Sequence, residues 1–492
     1  MPLTADQIPS AVPPPFRWTK RVAKLLLLTI ILLSVIRFTW GIYADRRLAA
    51  AIDHIREANQ PLEPEDFKQP SIPDDDNAAR ILQNAAAMIR APELPPLKTF
   101  EQFETATLVD SLAIRAWVSE NSASLHELHV ARGKSVDWHV TFSNAPDTYS
   151  ESVRHARLTP LRTLAILARN AGKIAHRGGN DAVVIEYWRD ILAEGKASRG
   201  VPTLIGYRFA SMIDSIASGQ VLERASEVQI GPAPAASPQA VCRFITELLD
   251  ESDLPGAKIR DFAADRLEGL QIYRMASNGA TDYEAFQYGP NDKHVSNWQR
   301  AVAFAIGPVF TLRAARFAQL TTNQLNAANA PDYKTALAAL PAVLSPKTTT
   351  IFLADRVDFF EEGSAQSVSR LIETDFHGIL QRRAAAMALA IQLYRADHAR
   401  ALPLNAESLV PKYLSALPKD PYDSTGHAIR YAPTQFRRPI LHSVGPTGID
   451  NLAQQKWDLP PERLVNDYHT SAIIFDLTPM YPTLGAPTSM PK

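Results

Sequence analysis

The chain has 492 residues, room for about two to four domains at roughly 100–200 residues each. Its 46% hydrophobic and 21% charged residues, with 51 Lys and Arg against 52 Asp and Glu, exclude a disulfide-stapled miniprotein, a disordered chain and a strongly basic nucleic-acid binder. The single cysteine, Cys242, can form no internal disulfide and is too little for a thiolate metal cluster.

The balanced charge hides an asymmetry at the N-terminus. Leu25 to Ile36 is an unbroken apolar run, and its extension through Trp40 and Tyr43 to Ala44 is 20 residues long. A helix of that length spans about 30 Å, the hydrocarbon thickness of a bilayer. Arg17, Lys20, Arg21 and Lys24 precede it, so a cytoplasmic tail (1–20) and a transmembrane signal anchor (21–44) are expected, with the bulk outside the cytoplasm. Arg37 is the one charge inside the run and is expected to snorkel outward. A signal peptide cut after Ala44 is the competing reading. Beyond Ala44 the chain has 46 basic and 51 acidic residues, a mildly acidic bulk with no field for nucleic acid.

A juxtamembrane helix and a Pro-rich linker (45–77) follow, with Pro61, Pro64, Pro70 and Pro73. Asp74, Asp75 and Asp76 are expected to cap a helix over Ala78–Arg90, since acidic side chains meet the positive end of a helix dipole. From 78 to 370 the pattern is that of an irregular helical domain, with helices over Pro160–His176, Asp181–Ser198 and Pro202–Glu227. In the second of these Ile185, Trp188, Ile191 and Leu192 draw a buried stripe. Gly231 to Pro238 reads as a loop or subdomain linker, and Asn329 to Pro346 as another break.

Catalytic signatures are sparse. His126-Glu127-Leu128-His129 has the composition of a zinc helix but not its spacing, which needs two histidines four apart. The chain has no GxSxG elbow, no phosphate loop and no dinucleotide fingerprint. Cys242, in the apolar stretch Val241–Leu249, is expected to be a buried structural thiol.

The most specific pattern begins at Asp375. Leu380, Ala384, Met387, Ile391 and Tyr394 form one apolar stripe on a helix reaching His398, which implies a packing partner. A short helix over Ala406–Val410, the segment Lys419-Asp420-Pro421-Tyr422, strand candidates Ala428–Tyr431, Ile440–Val444 and Ala472–Phe475, and a glycine-rich loop from Ser443 to Asn451 complete the module. The sum is a long helix laid across a small antiparallel sheet, within a fold that is mainly α.

These residues resemble the C-terminal half of the major pseudopilin of type II secretion systems. The resemblance covers about 75 residues and rests on Ala388–Arg400, on Leu414–Tyr422 (LSALPKDPY), on Ile429-Arg-Tyr431, and on Ser443-Val-Gly445 with Gly448-Ile-Asp450. It implies a pseudopilin-like domain over 371–480, followed by a flexible tail (481–492). No prepilin-peptidase Gly and Glu precede the apolar run, and over 300 residues separate it from the module, so pseudopilin processing and assembly are not expected. The family binds calcium in this loop. Thr447 stands at the family's Asp position, which leaves Ser443, Asp450 and Asn451, with Asp458, as candidate calcium ligands against an ordinary glycine turn.

The expectation is therefore a single-span protein of a bacterial inner membrane that acts through a protein partner in the envelope. It would be a scaffold needing no cofactor and binding no nucleic acid. The alternative is an envelope enzyme or ligand-binding protein with a site in the helical body, near His126, His129 or His155.

Overall fold

A computed structural model describes residues 16–68, 70–90, 111–139, 151–277, 297–340, 355–433, 439–450 and 473–477. The His155 side chain, Asn451, Asp458 and the 481–492 tail lie outside them. The described residues hold twelve α-helices and one three-stranded antiparallel sheet, so the fold is mainly α. The helices are α1 (Phe16–Glu57), α2 (Ala78–Ala87), α3 (Ser111–Glu120), α4 (Ser122–Ala131), α5 (Glu151–Arg177) and α6 (Asp181–Ser198). They continue with α7 (Leu204–Arg224), α8 (Pro238–Leu249), α9 (Leu254–Ser277), α10 (Asn297–Ala328), α11 (Tyr333–Ala339) and α12 (Asp355–Asp397).

Helix α1 joins the apolar run to the juxtamembrane segment without a break. From Leu25 to Phe38 its large apolar side chains are exposed, and it is long and apolar enough to cross a membrane. Past Ala44, which is fully buried, its character changes: Ala51 and Ile55 pack against Leu62, Ala315 and Ala318. The far end of the apolar helix is thus built into the folded body.

Arg37 reaches along α1 toward the body, where a Cβ on Gly41 would lie 3.0 Å from its Nη1, and it also finds protein partners there. Its Nε donates to the Phe304 carbonyl on α10 at 2.6 Å, and its guanidinium lies 4.9 Å from the Phe304 ring centroid.

The acidic triplet departs from expectation. Asp74–Asp76 forms its own 3-10 turn, and the cap of α2 is Asn77, whose side chain accepts from the Ala79 amide at 3.1 Å. Asn77 is fully buried and its amide also donates to the Asp137 carbonyl. A neutral side chain that both donates and accepts suits that position better than a carboxylate, which only accepts.

Helices α5, α6 and α7 pack as successive antiparallel neighbours. The stripe Ile185, Trp188, Ile191 and Leu192 is buried as the spacing predicts. The segment 231–238 is a loop, as expected, pinned to the body at two points: Ala236 is fully buried and the Pro234 carbonyl accepts from the Ala182 amide.

Helix α12 is the central element. Ala384 to Ile391 are all 1% exposed or less, so this stretch is buried on every side and not along one stripe. Its main partners are α7 and α8, and it also packs against β2 of the sheet. Five alanines in those eight residues let neighbouring backbones come close. Arg382 donates to the carbonyls of Glu247, Leu248 and Asp250, closing the C-terminus of α8 where its backbone acceptors are unfilled. Arg383 holds Glu251 with two bonds of 2.8 and 2.7 Å. One apolar cluster consequently runs from Ala78 through the helices to Leu477 without a gap at 370.

The strands are β1 (Arg430–Ala432), β2 (Ile440–Ser443) and β3 (Ile473–Asp476), paired antiparallel in that order with Tyr431 opposite Leu441 and Leu441 opposite Phe475. Each overlaps its predicted segment, and the short helix after α12 is a 3-10 turn over Ala406–Leu409 capped by Asn405.

Candidate functional site

Two of the three histidines singled out from the sequence meet at one place. One face of α4 and the first half of α6 border an open cleft of about 310 Å³, lined by Ser122, His126, His129, Glu186, Tyr187 and Asp190 among others. Spacing explains the convergence. His126 and His129 are three apart on one helix, Glu186 and Asp190 four apart on the other, and such residues share a helix face.

His129 Nδ1 lies 3.1 and 3.2 Å from the two Asp190 oxygens, and Arg132 Nη1 reaches Asp190 at 2.9 Å. Asp190 is 2% exposed, and burial raises its carboxyl above the usual range although Arg132 and His129 oppose this. Burial acts the same way on Glu186, but there Arg132 and Arg189 outweigh it and hold the carboxyl below its ordinary value. Arg189 goes on to bind Glu247 on α8. One turn beyond Asp190 stands Glu194, 1% exposed, with no hydrogen-bond partner for either oxygen among the described residues. Burial first, then the neighbouring Asp190 charge, raise its carboxyl far above the usual range.

Chemically, the cleft holds an imidazole oriented by a buried carboxylate. Among the described residues His129 makes no hydrogen bond to a hydroxyl or thiol, so the relay that activates a nucleophile is not assembled. Nor, among the described residues, do three His, Cys, Asp or Glu side chains converge as a metal ion requires. Glu186, Asp190 and Glu194 were not singled out from the sequence. Their 4, 4 spacing along a helix with a buried stripe was the available signal, because an acidic row there must be paired or protonated.

A second group of ionisable residues is enclosed in the core. Arg199 binds Asp214 at 2.5 Å and Asp253 at 2.8 Å, and Arg382 approaches Asp214 at 3.7 Å. Lys258 pairs with Asp375 at 2.5 Å and donates to the Ala328 carbonyl at 2.8 Å. All of these groups except the half-buried Asp253 are buried between α6, α7, α9 and α12, where they act as internal fastenings.

The C-terminal loop is locked from within. Asp420 accepts from the Ser443 hydroxyl at 2.7 Å, the Val444 amide at 2.9 Å and the Tyr422 amide at 3.0 Å. The Asp-Pro segment and the Ser-x-Gly loop, far apart in sequence, are thus one hydrogen-bonded unit. Asp450 is paired with Arg430 at 3.2 Å and lies 3.7 Å from His442. Of the candidate calcium ligands, Ser443 is a donor to Asp420, Asp450 neutralises a guanidinium, and Asn451 lies outside the described residues. A calcium cage needs several oxygens turned to the ion, and among the described residues Ser443 and Asp450 are already engaged within the module.

Cys242 corrects the expectation of a buried thiol: it is exposed, on the outer face of α8, while Val241, Phe244, Ile245 and Leu248 take the inner one. Compared with known protein families, curated proteins and solved structures, the chain matches none.

Proposed function

We propose that the chain is a single-span membrane protein of a bacterial envelope whose helical body and C-terminal module act outside the cytoplasm as a scaffold for a protein partner. The observation that carries this is the two-part character of α1. Its apolar half is exposed along its length, and its second half is packed into the body through Ala51 and Ile55. Anchor and body are therefore one continuous unit, as suits a protein that presents a surface at a fixed distance from the membrane.

The orientation rests on Arg17, Lys20, Arg21 and Lys24 before the run, against Arg46 and Arg47 beyond it. The resemblance of the last module to a pseudopilin domain favours an envelope role, and the bond between Asp420 and Ser443 gives its two most specific segments a shared structural task.

The single exposed cysteine provides the test. A membrane-impermeant maleimide should label Cys242 in spheroplasts without lysis, with the protein in the membrane fraction resisting carbonate extraction. Labelling only after lysis would reverse the orientation, and extraction by carbonate would remove the span.

The cleft between α4 and α6 supports a second reading, a ligand-binding or catalytic body, through the pairing of His129 with Asp190 beside His126. Small molecules that raise the melting temperature of the wild type but not of His126→Ala or His129→Ala would favour it.

A further inference from the structure

Folding brings arginines from distant parts of the chain to one level beside the end of the apolar run. On α1, Arg46 and Arg47 follow Ala44 by two and three residues, about 3–5 Å at 1.5 Å per residue, and both are exposed. Helix α9 reaches the same level from the body side. Its Tyr273 belongs to the cluster with Phe310, Ala314 and Phe317 against which Leu48 packs. One turn later, the Ser277 carbonyl would lie 3.6 Å from a Cβ on Gly307, and that Cβ would lie 3.1 Å from Nη2 of Arg37, whose Nη1 stands beside Gly41. Arg274, between Tyr273 and Ser277, is therefore bracketed between the levels of Leu48 and Gly41, the stretch of α1 that carries Arg46 and Arg47.

The hydrocarbon of a bilayer is about 30 Å thick within a total of about 40–45 Å, which leaves about 5–8 Å of headgroup on each side. With the apolar run ending at Ala44, the three guanidiniums fall in that layer. Their surroundings are short of acid. Asp45 is the one carboxylate between Ala44 and Ala51, and Gln271 to Ser277 holds none. Arg274 is exposed, and among the described residues neither it nor Arg46 makes an ion pair or a side-chain hydrogen bond. Arg47 is steadied by Tyr43, whose hydroxyl accepts from its Nε at 3.1 Å and whose ring centroid lies 5.5 Å from the guanidinium. The rule that orients a span counts cations close to it in sequence, so it gives no account of Arg274 at this level.

We propose that Arg46, Arg47 and Arg274 form a collar that binds the phosphate headgroups of anionic phospholipids in the leaflet nearest the body. The inference rests on α1 being a span. A guanidinium presents forked donors that match phosphate oxygens, and it stays charged at any physiological pH. Because α9 contributes to the collar, the body itself is held at the membrane surface, and not through α1 alone.

The test is native mass spectrometry of the full-length protein in detergent, mixed with equal amounts of phosphatidylglycerol and phosphatidylcholine of the same acyl chains. The wild type should retain phosphatidylglycerol in preference. Arg46→Gln and Arg274→Gln should each lower that preference about fivefold, with melting temperatures unchanged because both side chains are exposed. Arg177→Gln, at an exposed position at the end of α5, should leave it unchanged. Equal retention of the two lipids by the wild type, or a preference that survives Arg274→Gln, would overturn the collar. Displacement of the bound lipid by soluble glycerol phosphate at equal concentration would make the site one for free phosphate and overturn it likewise. Carbonate extraction reads the span separately: a protein that resists carbonate yet shows no lipid preference sinks this inference alone, whereas a protein that carbonate releases loses the span and the collar with it.

Discussion

The hydroxyl of Tyr207 on α7 donates a hydrogen bond to the carboxylate of Asp375 on α12, 168 residues later in the chain. The second oxygen of Asp375 pairs with Lys258 on α9, so three helices meet at one buried carboxylate. Burial first, then the Asp375 charge, hold the Tyr207 phenol far above its ordinary value, which keeps it a donor. Removing one member of a buried pair costs more than the pair contributes, because the survivor is left charged and unsolvated. Asp375→Ala should therefore destabilise the protein by about 3–5 kcal/mol. Tyr207→Phe should cost only about 1.5–3 kcal/mol, the loss of one hydrogen bond to a charged group. Denaturant melts of the detergent-solubilised chain check both values. Asp375→Ala combined with Lys258→Met should recover part of the loss, and strict additivity would contradict the pairing.

Asp420 has the corresponding place in the C-terminal module. Its two oxygens accept from Ser443, Val444 and Tyr422 in a site that is 2% exposed. Asp420→Ala leaves three donors without an acceptor and should cost about 2–4 kcal/mol. Asp420→Asn keeps one acceptor oxygen and should fall between. Ser443→Ala removes a single donor and should cost about 1 kcal/mol. Limited proteolysis of Asp420→Ala, with cleavage concentrated after residue 397, would show that the module loosens while the helical body holds.

What the sequence made readable was local periodicity. Ile185, Trp188 and Ile191 announced a buried face, Leu25 to Ala44 an apolar helix long enough to cross a membrane, and Ile440 to Val444 a strand, because each pattern is set by neighbours within one or two turns. Where contacts are distant the reading failed. The stripe from Leu380 to Tyr394 describes one face of α12, but the intervening alanines conceal that Ala385, Ala386 and Ala390 are buried too, since a small side chain suits either environment. The bond from Arg37 to the Phe304 carbonyl is invisible to periodicity, because the two residues lie 267 positions apart. Within the cleft the histidines stood out by type, whereas Asp190 and Glu194 became visible only through what surrounds them. Cys242 was misassigned for the opposite reason: the apolar residues near it in sequence occupy the other side of α8.

His176 gives a pH dependence with a definite sign. Its Nδ1 meets Asp181 at 2.7 Å and its Nε2 meets Glu227 at 3.1 Å, joining the turn between α5 and α6 to the end of α7. The hydrogen bond to Asp181 is the first cause of a pKa raised above the ordinary histidine value, with burial opposing it. The folded state thus binds the proton more tightly than the unfolded state. The contribution is complete below about pH 6.5, the unfolded value, and is lost as pH rises through the folded one. His176→Gln should cost about 1–2 kcal/mol near pH 6 and less near pH 9. Urea unfolding midpoints of both proteins across that range would show converging curves, and a difference that grew with pH would assign the stabilisation elsewhere.

The pairing of α9 with α10 depends on Gly269. A Cβ at that position would run into the ring of Phe317, which is fully buried and lies 5.7 Å, centroid to centroid, from Tyr273. The ring cannot move outward, because Ala314, Phe310 and Leu270 pack around it. Gly269→Ala would ordinarily favour a helix by about 1 kcal/mol. Here overpacking at about 1–3 kcal/mol opposes it, and the net effect should be destabilising. Adding Phe317→Leu makes room for the new methyl group and should restore part of the lost stability, although Phe317→Leu alone destabilises. Melting temperatures of the two single variants and the double variant decide the matter. A double variant less stable than either single one would mean that the close approach of Gly269 to Phe317 is not what holds these helices together.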